Sequence, residues 1–461
     1  MPISHRWPLG AVFAGCLVSA SLVGCDPAAT DTPAPGSATE NPHAAAADFG
    51  QTPAPETVAA AAEASLAPNS GRDVMLQGFH WNSWRYGNWT IVQNNAAAIA
   101  NAGFTMVWLP PPSRAASAEG YLPNEWYNLD ASSYGSKAQL KSAIGALHNR
   151  GVKAIADIVI NHRVGTTNWG DFSNPAFSNN YAAVTRDDEW SQSSGNWDTG
   201  DGYGAARDLD HTNGSVRTQT KNWMNWLKSD VGFDGWRYDY VKGFSGGYIG
   251  EYNYATNPYF SVGELWPDIT GDYYASCSGG NYHRQKLMDW IDATGASSSA
   301  FDFTTKWQLQ LAVARNEYWR MGCVPGAIGW WPAKSVTFID NHDTGPSPGP
   351  GGGQNHWAFP SNKVEQGYAY ILTHPGTPTV YWPHYFDWGS DLKNKIKTLI
   401  ALRAEKGITA TSSITVRASD ANRYAAEIGG TLAMKIEPGN WSPGGGWTLR
   451  ASGSDWAVWT R

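Results

Sequence analysis

Residues 137–162 read KAQLKSAIGALHNRGVKAIADIVINH. Apolar residues recur at helical spacing over 137–150, and the run 152–160 reads as a buried strand that closes on the polar pair Asn161-His162. The same alternation of helical stretches with short apolar or aromatic runs extends from Asp73 onward, the pattern of βα units and a parallel sheet. Candidate strands are 74–79, 105–109, 152–160, 233–239, 260–265, 300–303, 335–339 and 379–382, and candidate helices include 94–102, 137–150, 216–229 and 362–372. Eight such strands predict an α/β fold of the (β/α)8 TIM-barrel type, in which chemistry sits where strands end and loops begin.

The rest of the chain is organised around that barrel, predicted over 73–403. Residues 162–213 are too long for an ordinary connection and, rich in Asp, Asn, Gly and Trp, predict a small inserted domain after the third strand. From 404 to 461 short alternating runs such as 423–428, 432–436 and 456–460 predict a C-terminal antiparallel β domain. At the other end, Arg6 precedes an apolar run from Trp7 to Val23 that is too short to span a bilayer, so residues 1–25 read as an export signal. It ends Leu22-Val23-Gly24-Cys25, which resembles a bacterial lipobox and implies lipidation of Cys25, against an ordinary cleaved signal with a chance cysteine. Residues 26–72, rich in Ala and Pro and without Trp, Tyr or Lys, predict a disordered tether. Cys16 would leave with the signal, and Cys277 and Cys323 remain, either paired in an oxidising compartment or as two buried thiols.

Composition narrows the function. With 33 basic against 40 acidic residues and a formal charge of -7, the chain is a poor partner for nucleic acid. It carries neither a phosphate loop nor a dinucleotide glycine fingerprint. Its 25 Trp, 21 Tyr and 14 Phe exceed what packing alone asks for, and flat rings stack on flat apolar faces.

The strand ends carry the chemistry. The third candidate strand closes on Asp157 to His162, the fourth on Arg237-Tyr238-Asp239, the fifth on Gly263-Glu264-Leu265-Trp266 and the seventh on Asp340-Asn341-His342-Asp343. Asp239, Glu264 and Asp343 are therefore expected at one mouth. Arg237 and Asp239, two apart on a strand, share a face, and a guanidinium beside a carboxylate is expected to lower its pKa and keep it ionised. One ionised and one protonated carboxyl group are what glycoside hydrolysis requires.

The strings DIVINH (157–162), GFDGWRYDYVKG (232–243), VGELW (262–266) and FIDNHD (338–343), with DLDHTN (208–213), resemble the conserved regions of the α-amylase family of glycoside hydrolases. The resemblance runs from about residue 73 to 461 and is nearest to plant-type α-amylases. It implies Asp239 as nucleophile, Glu264 as acid/base and Asp343 as the third carboxylate, holding sugar hydroxyls. Arg237 would orient Asp239, His162 and His342 would donate to the sugar at the cleavage point, Tyr121 would stack on it, and Lys242 and Trp266 would line the leaving-group side. It further implies a structural Ca2+ held by Asn161, Asp208 and the Gly243 carbonyl, hard oxygen ligands suited to that ion. The stretches at 186–188 and 198–201, including Asp198, resemble additional calcium loops, although Gly202 stands where those carry Asp. Trp330-Trp331 resemble a surface platform for starch, with Tyr424 as a second contact. Tyr238 departs from the Leu or Phe usual before the nucleophile and is expected to crowd the strand. The loop 346–354 (PSPGPGGGQ) resembles maltotetraose-forming amylases instead.

The expected activity is endo-acting hydrolysis of α-1,4 bonds in starch, amylose, glycogen or maltooligosaccharides with retention of configuration, by an exported monomer, secreted or held at the cell envelope by lipid. An exo-acting maltotetraose-forming enzyme is the alternative, and a transglycosylase shares the same intermediate. A non-catalytic glucan-binding lipoprotein is disfavoured because Asp239, Glu264 and Asp343 are all present.

Overall fold

The computed structural model describes residues 71–165, 170–268 and 281–461. The expected signal, nearly all of the tether and Cys277 lie outside the described residues, while Cys323 is disulfide-bonded. Among the described residues no helix is long and apolar enough to cross a membrane.

Eight parallel strands close into a barrel: β1 (Met75–Gln77), β2 (Met106–Leu109), β3 (Lys153–Ile158), β4 (Gly235–Tyr238), β5 (Ser261–Gly263), β6 (Ser299–Phe301), β7 (Ser335–Thr337) and β8 (Thr377–Tyr381). They follow one another around the barrel in chain order, and β1 closes on β8 with Met75 opposite Thr379. The helices α1 (Asn88–Asn101), α2 (Lys137–His148), α3 (Gly214–Trp226), α4 (Gly246–Thr256), α5 (Asn281–Ala293), α6 (Phe303–Arg315), α7 (Val364–Thr373) and α8 (Ser390–Glu405) return the chain between strands and after the last. The barrel expected from the alternating pattern is therefore present. Differences fall at element ends. β8 begins two residues early because Pro378 sits inside it, opposite Thr337, where a proline argues against a strand on sequence grounds. β6 stops at Phe301 because the side chain of Asp302 accepts from Thr305 N and caps α6. α1 starts at Asn88, ahead of the expected 94, with Trp89, Val92, Ala96 and Ile99 on its buried face.

Period-two alternation sorts these strands into two cores. Met75, Met106, Trp108, Ile155, Val262, Phe301 and Val336 fill the lumen, while Leu76, Val107, Ala154, Ala156 and Trp236 face the helices. The same alternation carries the lumen face upward to polar residues. Gln77 lies two beyond Met75, Asp157 two beyond Ile155, and Arg237 is paired in register with Asp157. Tyr238 points outward, and its hydroxyl donates to Asn253 Oδ1 on α4 at 2.9 Å, so the expected crowding is absent.

A two-residue ladder, His162 opposite Asp208 and Arg163 opposite Arg207, forms the neck of the insertion and brings its return leg back to the end of β3. After α8 the chain forms a five-stranded antiparallel sheet from β9 (Ile414–Ser419), β10 (Tyr424–Ile428), β11 (Leu432–Ile436), β12 (Thr448–Gly453) and β13 (Trp456–Thr460), in the order β9-β10-β11-β13-β12. It packs on α7, where Trp456 Nε1 donates to Glu365 at 2.8 Å. Tyr424 is fully buried there and its hydroxyl bonds His374 Nε2 at 2.9 Å, which removes it as a surface contact.

Candidate active site

A cleft of about 590 Å³ opens at the C-terminal mouth of the barrel, and Asp239, Glu264 and Asp343 all line it. Beneath them lies Arg237, fully buried in the lumen. Its Nη1 donates to Asp157 Oδ1 and to Asp239 Oδ1, both at 2.8 Å, and its Nη2 lies 2.9 Å from Glu264 Oε1 in an ion contact that is off hydrogen-bond alignment. One guanidinium thus joins the ends of β3, β4 and β5. Asp157, in sequence only the start of a motif, also accepts from Trp108 Nε1 at 3.1 Å and from the Tyr121 hydroxyl at 2.9 Å.

Burial dominates the charge state. The Asp239 carboxyl is pushed up to about 6 by burial, against the opposing pull of Arg237 and with the help of the Asp157 charge. Glu264 is pushed up to about 7, again by burial first, with Arg237 opposing and Asp239 adding to the rise. Asp343 is raised as well, by burial and then by the Glu264 charge. Arg237 does pull the Asp239 carboxyl down as expected, but the net direction is upward, because taking the carboxylates out of water outweighs one shared cation.

An aromatic wall faces the carboxylates. Tyr121 and His342 stack at 5.1 Å with planes 12° apart, and Trp81 stacks on Tyr121 at 6.0 Å and 5°. Gln77 Nε2 donates to His342 Nδ1 at 2.9 Å, which leaves the ring proton on Nε2, 3.4 Å from Asp343 Oδ2. On the opposite side, Lys242 lies 5.3 Å over the Tyr240 ring, and Trp266 stacks on Phe303 at 5.0 Å. His162 differs from its expected placement. Tyr203 covers its ring at 3.8 Å, its Nε2 donates to the Tyr121 carbonyl at 2.8 Å, and it does not line the cleft. Trp81, Tyr203, Tyr240, Gln354 and His356 also stand on the cleft wall, without having been expected there from the sequence. Trp81 was within reach of the strand-end rule, since it follows β1, whereas Tyr203 sits in an insertion without periodicity.

Beside the neck of the insertion, Asn161 Nδ2 donates to Asp208 Oδ1 at 3.0 Å, and Asp208 Oδ2 accepts from Tyr203 N at 2.8 Å. The Asn161 amide packs so closely on Gly243 that a Cβ there would overlap it. Burial, and the charges of Asp198, Asp188 and Glu189, push Asp208 up to about 8. Asp198 Oδ1 accepts from Thr199 N and Gly200 N, while its Oδ2 is buried without a hydrogen-bond partner. Among the described residues no three His, Cys, Asp or Glu side chains converge as a metal cage. The expected set depends instead on an amide and a backbone carbonyl. Asp188, by contrast, is engaged by the buried Arg207 guanidinium.

On the outer surface the expected pair of indoles is unequally exposed, with Trp331 only partly buried. Trp330 is 41% exposed, with the Arg284 guanidinium 3.7 Å from its ring centre, while Trp331 packs against the core.

Residues 67–257 match the family model described as the alpha amylase catalytic domain, and residues 405–460 match the alpha-amylase C-terminal beta-sheet domain. The chain is 44% identical over 400 residues to the probable alpha-amylase 2 of Arabidopsis thaliana, covering 84% of this chain and 94% of that protein. It is 33% identical over 414 residues to the glucan 1,4-alpha-maltotetraohydrolase of Stutzerimonas stutzeri, covering 83% and 72%. The solved structure of an alpha-amylase from Malbranchea cinnamomea shares the fold, with a TM-score of 0.62 at 17% identity over 86% of this chain and 97% of that one.

Proposed function

Because the chain belongs to the α-amylase family of glycoside hydrolases, we propose that it cuts internal α-1,4 bonds of starch- or glycogen-type glucans with retention of configuration. The observation that carries this reading is the single buried guanidinium of Arg237 shared by Asp157, Asp239 and Glu264 at the floor of the cleft. Asp239, aligned by Arg237, attacks the anomeric carbon while Glu264 gives its proton to the departing glycosidic oxygen. Water then breaks the glycosyl-Asp239 ester and returns a proton to Glu264. Asp343 holds sugar hydroxyls, His342 donates from Nε2, and Tyr121 stacks on the ring being cleaved. Lys242 and Trp266 line the leaving-group side. His162 acts through Tyr121, whose carbonyl it holds.

A calcium ion belongs to the same proposal. Asn161, Asp208 and the Gly243 carbonyl would hold it, with Asp198 beside them, and the buried Asp198 Oδ2, which accepts no hydrogen bond, is an oxygen that a cation would satisfy. Its contribution is charge neutralisation and rigidity between the insertion and the ends of β3 and β4. Residues 73–403 would be the catalytic unit with its insertion at 162–213, followed by a β domain over 404–461. The chain would be exported as a monomer, secreted or tethered through Cys25, and Trp330 would act as a surface contact.

The test is a time course of amylose digestion by the full chain, following iodine colour, product length and the anomer released. Early loss of colour with mixed oligosaccharides in the α form is expected. One dominant short product while colour persists would favour the maltotetraose-forming alternative suggested by loop 346–354, and β products would overturn retention. The pH dependence follows from the two carboxyl groups that must differ in charge. Glu264 must be protonated and Asp239 ionised, so kcat/KM should fall as pH rises through about 7 and as it drops through about 6. The pair titrates jointly and gives a narrow bell. A profile flat from pH 5 to about 8 would remove Glu264 as the acid.

A further inference from the structure

Loop 346–354 has no part in the mechanism above, yet it is built to deliver a side chain into it. Gly349, Gly351, Gly352 and Gly353 all have positive φ, between 69° and 88°, a backbone course that side-chain-bearing residues rarely follow. A Cβ on Gly353 would lie 2.7 Å from the Ser347 Cβ, so the two legs of the loop touch. The outer turn is held to the β1 side by Asn82, whose Nδ2 donates to the carbonyls of Pro348 at 2.9 Å and Pro350 at 3.2 Å. Its base is closed by a buried ion pair. Lys306 Nζ donates to the Ile339 carbonyl at 2.6 Å, to the Trp357 carbonyl at 3.0 Å and to Asp340 Oδ1 at 3.3 Å, and Asp340 accepts from Phe359 N.

Clamped at both ends, the loop brings Gln354 Nε2 to 2.9 Å from Asp343 Oδ1. The Gln354 side-chain oxygen Oε1 accepts from His356 Nε2 at 2.7 Å, and His356 N donates to the Asp343 backbone carbonyl at 2.9 Å. The amide is thereby fixed with its nitrogen toward the carboxylate. With His342 Nε2 near the other carboxylate oxygen, Asp343 is gripped from both sides in the free enzyme.

We propose that Gln354, oriented by His356, is a positioning residue that fixes the Asp343 carboxylate in the direction needed to hold the distorted sugar. The proposal rests on the role given to Asp343 above. A group that acts only by aiming a transition-state contact lowers kcat and kcat/KM together and leaves KM alone. A hydrogen bond to a charged group of this kind corresponds to roughly a 10-fold loss or more when removed.

The experiment is steady-state kinetics on a defined maltooligosaccharide with the full-length Gln354→Ala, His356→Ala and Asp343→Asn variants, alongside their melting temperatures. Gln354→Ala is expected to lose about 10-fold or more in kcat at unchanged KM and melting temperature. His356→Ala, which frees the amide to turn, should lose less in the same parameter. A rise in KM at constant kcat would make Gln354 a substrate contact and overturn the proposal. So would wild-type kcat in Gln354→Ala, or an equal loss explained by a lower melting temperature. Asp343→Asn separates this from the underlying reading. If it stays active, the role of Asp343 fails, and if it is inactive while Gln354→Ala is normal, only the positioning role fails.

Discussion

The Asp239→Asn variant is expected to lose hydrolysis by on the order of 10⁴-fold or more while remaining folded and able to bind glucan. Asn keeps an oxygen where Asp239 Oδ1 now accepts from Arg237, and the backbone bond from residue 239 N to the Ile158 carbonyl at 3.0 Å does not involve the side chain. What disappears is the negative charge and the nucleophile. Without a glycosyl ester the reaction has no low-barrier route, because Glu264 can protonate the leaving oxygen but nothing on the opposite face attacks. Stability should move the other way. Asp239, Glu264 and Asp343 are each raised first by burial, and the Asp239 charge adds to the rise at Glu264 and at Asp343, so removing that charge takes away a desolvated carboxylate and eases the ionisation of the other two. Arg237 keeps Asp157 and Glu264 as counter-charges. The melting temperature is therefore expected to hold or rise, and binding to amylose, carried by the Trp81, Tyr121 and His342 wall, should persist. Retention of about a hundredth of wild-type activity, after deamidation has been excluded by mass, would remove Asp239 as the nucleophile.

This split between chemistry and stability also explains what the sequence could show. Asp239, Glu264 and Asp343 were legible because a barrel gathers its strand ends at one mouth, and period two fixes which residue of each end faces inward. The charge state was not legible. Arg237 two residues before Asp239 argues for a lowered pKa, and the burial of the carboxyl at the base of the cleft outweighs that pull. His162 was misplaced for a related reason. Its position after β3 points to the cleft, but the ring that shields it, Tyr203, belongs to a segment without periodicity some forty residues further on. The tandem Trp330-Trp331 and the lone Tyr424 show the same limit, since aromatic identity does not say which face of a loop or strand is covered. The role of Gln354 could be glimpsed only as a Gly- and Pro-rich stretch beside the third carboxylate.

Chelation should produce the second large effect, and it should appear in stability as well as activity. Asp208 is nearly fully buried, its carboxyl is pushed up to about 8, and the Asp198, Asp188 and Glu189 charges act on it. Arg207 meets Asp188, but among the described residues no side-chain cation bonds Asp208 or the buried Asp198 Oδ2. A divalent ion with a preference for oxygen would neutralise that set, drawing on the Asn161 amide and the Gly243 carbonyl that sit beside it. An ion bound only by the folded chain, and present at 100 to 1,000 times its dissociation constant, contributes about 3 to 4 kcal/mol. For a chain of this size that corresponds to a fall in melting temperature of roughly 4 to 5 °C when the ion is removed. Activity should fall with it, because Asn161 lies four residues beyond Asp157 and Gly243 four beyond Asp239, so loosening the neck of the insertion loosens both strand ends. Calcium should restore both readouts better than magnesium, whose smaller octahedral shell suits mixed amide and carbonyl ligands poorly. In Asp208→Asn the chelator should matter far less, since the site has lost its charged ligand. An unchanged melting curve in excess chelator, with no calcium found by equilibrium dialysis, would mean that the carboxylates at this neck are neutralised by protons, and the calcium assignment would fall.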